Sequence, residues 1–272
     1  MDIEPDNADP TASPLYVRSV AKAFAVLQAF DDGRQTMSLS EIASAVGMTK
    51  SAAQRFTYTL GVLGLLSQDA ASRRWQLTPR TLDIGAHYLA ADSLIEQATP
   101  HLVELNHRCG ESVNLSRPDG LDMVFVARFT SHSRAFVHMP VGTRIPMFCT
   151  ASGRAYLSSL APARAQATIQ ASVLHSFTAH TLTDPERIQA AIAEAIPRGF
   201  AMASEEFYLG DLNIAAPILA ADGNAIGAVN VSCPTSRWTL DRMAAEIAPM
   251  LMETVRGISS GPSARLRQQG NR

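Results

Sequence analysis

Catalysis by this chain would have to be built from seven histidines, three cysteines and 25 scattered carboxylates, and their spacing does not build it. No G-x-S-x-G elbow, H-E-x-x-H helix, Walker loop or strand-following G-x-G-x-x-G occurs. His101 and His107 sit at a spacing that a helix sends to different faces. Cys109, Cys149 and Cys233 stand singly, and a lone cysteine is more often a small buried hydrophobe than a nucleophile. No enzyme, metal site or cofactor is expected. The chemistry that the spacing does support is hydrogen bonding to a polyanion. Gln54 and Arg55 carry the amide and guanidinium that pair with base edges. Lys50, Ser51 and Tyr58, close by in the sequence, suit phosphates.

These side chains lie in "EIASAVGMTKSAAQRFTYTLGVLG", Glu41 to Gly64, and three helices must position them. The first is expected from about Ser19 to Phe30, with Val20, Ala23, Phe24 and Leu27 at helical spacing. The second begins near Ser40 as N-cap and closes at Gly47 through a positive φ. The third starts at a second cap, Thr49, and runs through Leu63 to Gly64, with Ala52, Phe56, Leu60 and Leu63 facing inward. Two short helices around a glycine turn form a helix-turn-helix. Leu65-Leu66 and Trp75-Gln76-Leu77 then pair as a wing whose tip, Asp69 to Arg74, offers Arg73 and Arg74 to backbone or minor groove. The candidate DNA-binding set is Ser40, Thr49, Lys50, Ser51, Gln54, Arg55, Tyr58, Arg73 and Arg74. Residues 16–80 hold eight Lys and Arg against four acids, whereas residues 81–260 hold twelve Arg against seventeen acids. A basic front on an acidic body fits a nucleic-acid partner. The same features also suit a protein-interaction module or a small bundle with a solvated face.

The acidic, Pro-rich residues 1–15 read as a disordered tail rather than a secretory signal, and residues 261–272 as a second tail. No apolar run approaches 18 residues, so no membrane partner is expected. Sparse, odd cysteines suit a reducing, cytoplasmic setting. A winged helix-turn-helix over 16–80 is followed by a linker at 81–98. Its helix, Thr81–Ala91, has small residues that would let it pack against its twin in a dimer, or within one chain. Ser93–Arg108 is a further helix, bent at Pro100. The body, 99–260, alternates strands and helices. "SVNLSRP", "DMVFVARF" and "RAFVHMP" read as strands, and Ala155 to Leu160 as a helix with "TASG" leading into it. A helix follows Asp184 and Pro185, and "AMASEEF" is strand or loop. "LNIAAPILA" and "AIGAVNVSC" form a hairpin around "ADGN", before a closing helix. The fold class is α+β, one antiparallel sheet with helices packed to its side. "CTASGRA" sets small and hydroxyl residues at a helix start, where an anion such as a carboxylate is favoured. Asn230 and Ser232 share one face of a strand and Asn213 lies in its partner. They could contact a polar ligand, one another, water or solvent.

"VRSVAKAFAVLQAF", "LSEIASAVGMTKSAAQRF", "LTPRTLDIGAHYL", "VGTRIPMFCTASGRAYLSSL" and "AAPILAADGNAIGAVNVS" resemble the IclR family of bacterial transcription regulators, from about Tyr16 to Ser259. "ARF…VGTRIPMFCTASGRAYL" and "AVNVS" are most similar to its PobR and PcaR types, which govern aromatic-acid catabolism. The resemblance implies a winged helix-turn-helix, a linker helix and a GAF-like effector domain. It implies a homodimer or tetramer binding operator DNA, a small organic carboxylate as effector, and RNA polymerase as partner if the protein activates. It also implies a pocket formed by Ala151, Ser152, Gly153, Ala203, Ser204, Glu205, Asp211, Asn213, Asn230 and Ser232, with apolar walls from Met147, Phe148 and Leu212. Where the aromatic-acid subgroup usually carries Gly-Leu-Arg-Ser, this chain has Gly210-Asp211-Leu212-Asn213. An arginine is missing there and an acid stands nearby, so either the effector is a different aromatic acid or Arg134, Arg144 or Arg154 takes over the anion.

Overall fold

The computed structural model describes residues 9–31, 33–131 and 139–260. They form two compact units that divide between Tyr88 and Leu89. The expected tail at 261–272, residues 1–8 and most of the strand expected in "RAFVHMP" lie outside the described residues. Pro10–Ala12, within the expected N-terminal tail, is a 3-10 turn capped by Asp9.

The first unit holds α1 (Arg18–Gln28), α2 (Leu39–Ala45), α3 (Lys50–Val62), β1 (Leu66–Gln68) and β2 (Trp75–Leu77). Ser38, not Ser40, caps α2: its hydroxyl accepts from Glu41 N while the Glu41 carboxylate accepts from Ser38 N. This reciprocal capping box satisfies two donors that a helix start leaves open, which a cap at Ser40 could not do with Glu41. Ser40 lies exposed in the first turn. Gly47 has φ 65°, and Thr49 caps α3 by accepting from Ala52 N. The buried face of α3 is Ala53, Thr57 and Leu60, turned by about one residue from the expected stripe, and Leu63 is 53% exposed. Thr57 tolerates burial because its hydroxyl donates to the Gln54 carbonyl at 3.2 Å. In α1, Val26 is buried while Val20 and Phe24 are half exposed. β1 and β2 pair antiparallel, Leu66 opposite Leu77 and Gln68 opposite Trp75. Met37 adds a further bridge to Trp75, with reciprocal backbone bonds of 2.9 and 2.7 Å.

The unit boundary falls inside α4 (Leu82–Ala91), and none of the residues of α4 is buried. α5 (Ser93–Cys109) runs from its Asp92 cap to Gly110 as one helix containing Pro100. The division at 88 falls inside the expected linker, 81–98, whose expected end at residue 98 lies within this helix. Among the described residues six strands follow: β3 (Ser112–Asp119), β4 (Asp122–Phe129), β5 (Arg144–Pro146), β6 (Ala201–Ser204), β7 (Asp211–Leu219) and β8 (Ala225–Pro234). They form one antiparallel sheet in the order β5-β4-β3-β8-β7-β6. α6 (Ala151–Leu157), α7 (Pro162–Ala171) and α8 (Pro185–Arg198) lie between β5 and β6, and α9 (Leu240–Arg242), a π turn and α10 (Ala248–Ser259) end the described chain.

Helices cover both faces, not one. α5 and α10 pack on Leu115, Ile214, Val229 and Val231, while α6 and α8 meet the opposite face through Ala155, Ala195, Ala201 and Ala215. Both faces of β7 and β8 are therefore buried, which is why their sequences read as near-continuous apolar runs. α6 begins at Ala151, within the expected entry "TASG", because the Thr150 hydroxyl accepts from Gly153 N and caps it there. Gly153 fits where no other residue would: a Cβ at that position would lie 2.2 Å from Met147 Cα.

Candidate nucleic-acid interface and effector pocket

In the first unit, Ser51, Gln54, Arg55 and Tyr58 from α3 meet Gln68, Arg73 and Trp75 from the wing around one groove. The capping of α2 and α3 sets the turn that leaves this face of α3 exposed. The wing tip is held by Asp69, whose Oδ1 accepts from Ser72 N at 2.7 Å and from the Ser72 hydroxyl at 2.6 Å. Arg73 consequently adopts φ 58°, left-handed for a residue with a Cβ, and its carbonyl accepts from Gln68 Nε2 at 2.8 Å. Thr49, Lys50 and Ser40 are exposed but do not line the groove. Arg74 turns back into the unit: it donates to Thr36 Oγ1 at 3.0 Å and Thr36 O at 2.8 Å, and pairs with Glu41 at 2.9 Å. Its geometry braces the wing against α2, so of the two wing-tip arginines Arg73 is the one that lines the groove with Arg55.

In the second unit, strand pairing lays polar side chains in rows across the sheet face beneath α6. Asn213 is opposite Ser232, and Ser232 is opposite Ser112. One step along, Asn230 is opposite Asn114, and Asn114 is opposite Arg128. These rows floor a cavity of about 60 Å³, roofed by Ala151 and Ser152 of α6 and closed at the side by Glu205, Glu206, Phe207 and Tyr208. Of the residues that the sequence suggested, Ala151, Ser152, Ala203, Glu205, Asp211, Asn213, Asn230 and Ser232 line it. Met147 and Phe148 do not; they are buried in the core beneath α6, α7 and α8. Leu212 packs on the α5 and α10 face, as strand alternation requires of the residue between Asp211 and Asn213. Ser204 alternates away from Ala203 in β6, and Gly153 sits against the Met147 backbone.

Of the arginines expected to take over the anion, Arg154 and Arg144 are committed elsewhere. Buried Arg154 forms a two-pronged pair with Glu206, at 2.5 and 2.7 Å, and donates to Phe148 O at 3.0 Å. Arg144 pairs with Asp119 and Asp122 at the β5 edge. Arg134 lies outside the described residues. The cavity is lined by Arg128, which donates to the Met139 carbonyl, and by Arg237. Arg237 and Trp238 both donate to the buried carboxylate of Glu111, at 2.8 and 2.7 Å. Burial pulls the Arg128 pKa down while the charge of Asp211 pushes it up. Arg128, Asn114 and Glu111 escaped the sequence reading because their relation to β8 is set by strand order, which no local pattern carries. The available signal was the alternation of Ser112, Asn114 and Ser116 with Val113 and Leu115, which sets the polar side chains on one face of the strand.

Asp211 anchors a directed chain of bonds. Its two oxygens accept from the Ser232 hydroxyl at 2.6 Å and from Asn213 Nδ2 at 2.7 Å, and Asn213 Oδ1 accepts from Asn230 Nδ2 at 2.9 Å. Burial raises the Asp211 pKa, and these two donors partly offset it. The Cys149 thiol, also at the cavity, is pushed up to about 12 by burial, so it supplies no thiolate near neutral pH. A loop straps the cavity's side wall in place: Thr178 and Thr181 donate to the carbonyls of Glu205 and Glu206, each at 2.6 Å.

A winged helix-turn-helix unit and a separate unit with a small polar cavity together define a DNA-binding transcriptional regulator of modular build. Residues 19–70 match the IclR helix-turn-helix domain, and residues 86–260 match the family described as bacterial transcriptional regulator IclR C-terminal. The chain belongs to the IclR family of transcriptional regulators and is not an enzyme. It is 29% identical to the Pca regulon regulatory protein of Pseudomonas putida, covering 91% of this chain and 85% of that one. It is 30% identical to the regulator BhcR of Paracoccus denitrificans, covering 84% and 82%. A solved transcriptional regulator from Rhodococcus sp. RHA1 shares its fold with a TM-score of 0.79 at 35% identity, covering 90% of this chain and 97% of that chain. No helix among the described residues is long and apolar enough to cross a membrane.

Proposed function

We propose that this regulator is ligand-responsive: its first unit reads operator DNA and its second binds a small organic carboxylate that controls a catabolic operon. The observation that carries the reading is the cavity itself, a water-scale space floored by buried polar side chains on a sheet whose other face is apolar core. Buried polar groups in a core sheet are retained against their desolvation cost only if something pairs with them. α6 has seven residues, so its dipole is a weak anion site. The carboxylate is therefore assigned to Ser152 and Arg128.

In the first unit, Arg55 and Gln54 are proposed to read base edges, and Ser51, Lys50, Tyr58 and Arg73 to hold phosphates. Exposed Leu82, Ile84 and Tyr88 on α4 support a dimer in which two α4 helices pair and hold two heads on a palindromic operator. An aromatic effector is suggested by the likeness to the Pca regulator. Such a ring needs more room than the present cavity offers, since a benzene ring occupies a cavity of roughly 150 Å³. The side wall carrying Phe207 and Tyr208 would then have to yield, and that displacement is the switch, provided the effector binds the opened state better. If the protein activates, RNA polymerase is its further partner.

The test is a gel-shift titration on DNA flanking the gene, at several salt concentrations, with and without a panel of aromatic and short aliphatic carboxylates. Tight, salt-steep binding altered by one acid supports the reading. Binding indifferent to every acid leaves a DNA-binding protein without an effector. No binding at any salt turns the first unit into a protein-interaction module.

A further inference from the structure

A single residue separates α4 from α5. α4 ends at Ala91, α5 begins at Ser93, and Asp92 between them is extended, with φ -82° and ψ 102°. Two helices that meet at one non-helical residue can swing about it unless that residue is held. The Asp92 carboxylate is held by both its oxygens. Oδ1 accepts from Leu94 N at 2.9 Å and so caps α5, while Oδ2 pairs with Arg117 Nε at 3.3 Å.

This pair is not a surface contact. The Arg117 side chain is 18% exposed and that of Asp92 8%. Arg117 also donates from Nη1 to Ile226 O at 3.0 Å. One guanidinium, rooted in β3, thereby joins β8 and the start of α5. Gly227 gives it passage: a Cβ there would lie 3.8 Å from Arg117 Cδ and 2.7 Å from Ser116 O. The α5 side of the junction is fixed in other ways too. Leu94 is buried in the core, and Gln97 donates to Ile258 O of α10. The α4 side is held lightly, with no fully buried residue and Leu89 packed partly against that core. A buried ion pair adds little stability over well-packed apolar groups of the same size. What it can add here is direction, because it ties the residue between the two helices to the sheet.

We infer that Arg117 is a positioning residue for operator binding: its pair with Asp92 fixes the direction in which α4 leaves the sheet of the second unit. The two heads carried by paired α4 helices are thereby pre-set for the operator. This inference rests on the proposed pairing of α4 helices on a palindromic site. Loosening the junction costs affinity, because the freedom gained must be lost again when the second head engages.

Asp92→Asn is the variant that separates tether from cap. Asparagine caps a helix as well as aspartate does. It keeps one acceptor oxygen, however, and sets an amide donor in place of the other, where Arg117 needs an acceptor. The full-length protein is titrated onto DNA flanking its gene at several salt concentrations. Asp92→Asn should bind at least about tenfold more weakly than the parent. Its salt slope should be unchanged, since the same cations meet the same phosphates. It should also melt lower, because Arg117 loses its charged partner. The double variant Asp92→Asn/Arg117→Met strands no charge. It should melt near the parent yet stay at least about fivefold weaker on the DNA, since the tether is still missing. If the double variant regains affinity together with stability, the pair serves the fold alone and the inference is overturned. Parent-like affinity of Asp92→Asn overturns it too, and leaves the paired heads standing. A parent that sediments as a monomer, or binds this DNA no better than unrelated DNA, overturns the paired-head reading and the inference with it.

Discussion

Arg73 holds a left-handed backbone conformation at the wing tip that asparagine adopts more readily, at a saving on the order of 1 kcal/mol. Arg73→Asn is expected to leave thermal stability unchanged or raised while weakening DNA binding and flattening its salt slope by about one. Retaining strain at a contact position is what a functional residue does. Arg55→Ala should cost about 1–3 kcal/mol of specific binding if it makes a bidentate base contact, with loss of sequence preference read by competition with mutated operators. Asp211 predicts the opposite of ordinary acid behaviour. Its folded pKa is raised, so the folded state holds the proton more tightly than the unfolded state. Stability from this group is full below the unfolded carboxylate value near 4 and falls as pH rises through the raised value. Asp211→Asn should therefore melt higher than the parent at pH 7, and the gap should close as pH is lowered. A gap that persists unchanged at low pH would remove titration of Asp211 as the cause. At this scale the sequence was legible where strand periodicity suffices, as for Asn213, Asn230 and Ser232. The resemblance placed Leu212 in the pocket wall, whereas the same periodicity, applied strictly, sends its side chain to the other face.

At the scale of elements, capping decides where helices begin. Ser38, Thr49, Thr150 and Asp184 each accept from the first turn of their helix. Thr49 and Asp184 were readable because each stands immediately before a helical pattern. Ser38 was obscured by Ser40 two residues later, and only the reach of Glu41 distinguishes them. The entry of α6 was legible in Thr150 to Gly153, although Ala151-Ser152-Gly153 looks like a loop in composition. It is helical because Gly153 lets α6 rest on the backbone of Met147. Gly153→Ala should thus destabilise the second unit by at least the 1–3 kcal/mol of ordinary overpacking, seen as a lower melting transition with the head's DNA contacts unaltered in sequence. A melting temperature equal to the parent's would show that the Met147 segment moves aside freely. α7 escaped the sequence reading altogether, since its alanine-rich run has little amphipathic contrast.

The whole molecule is two units joined through α4, a helix that is apolar in composition yet has no fully buried residue, with Leu89 packed partly against the core of the second unit. That mismatch is the physical argument for the proposed dimer, because exposed apolar surface on a helix is stabilised by covering it. Ile84, 63% exposed, is the position to test. Ile84→Glu should halve the mass measured by sedimentation and lower operator affinity at least tenfold, because one head loses the company of the other. An unchanged mass would place the dimer contact elsewhere. The two-unit plan and the head were legible from local signals, namely glycine turns, caps and charge. The sheet order and the covering of both its faces were not, because they arise from contacts between segments far apart in the sequence.

The brace on the wing has a thermodynamic corollary. Met37 pairs with Trp75, Arg74 grips Thr36 and Glu41, and Asp69 closes the tip, so the strands that would flank a DNA groove are already in place in the free protein. Engagement then orders no wing residues, and the heat-capacity change of complex formation reduces to that of the surface covered, with no folding contribution added to it.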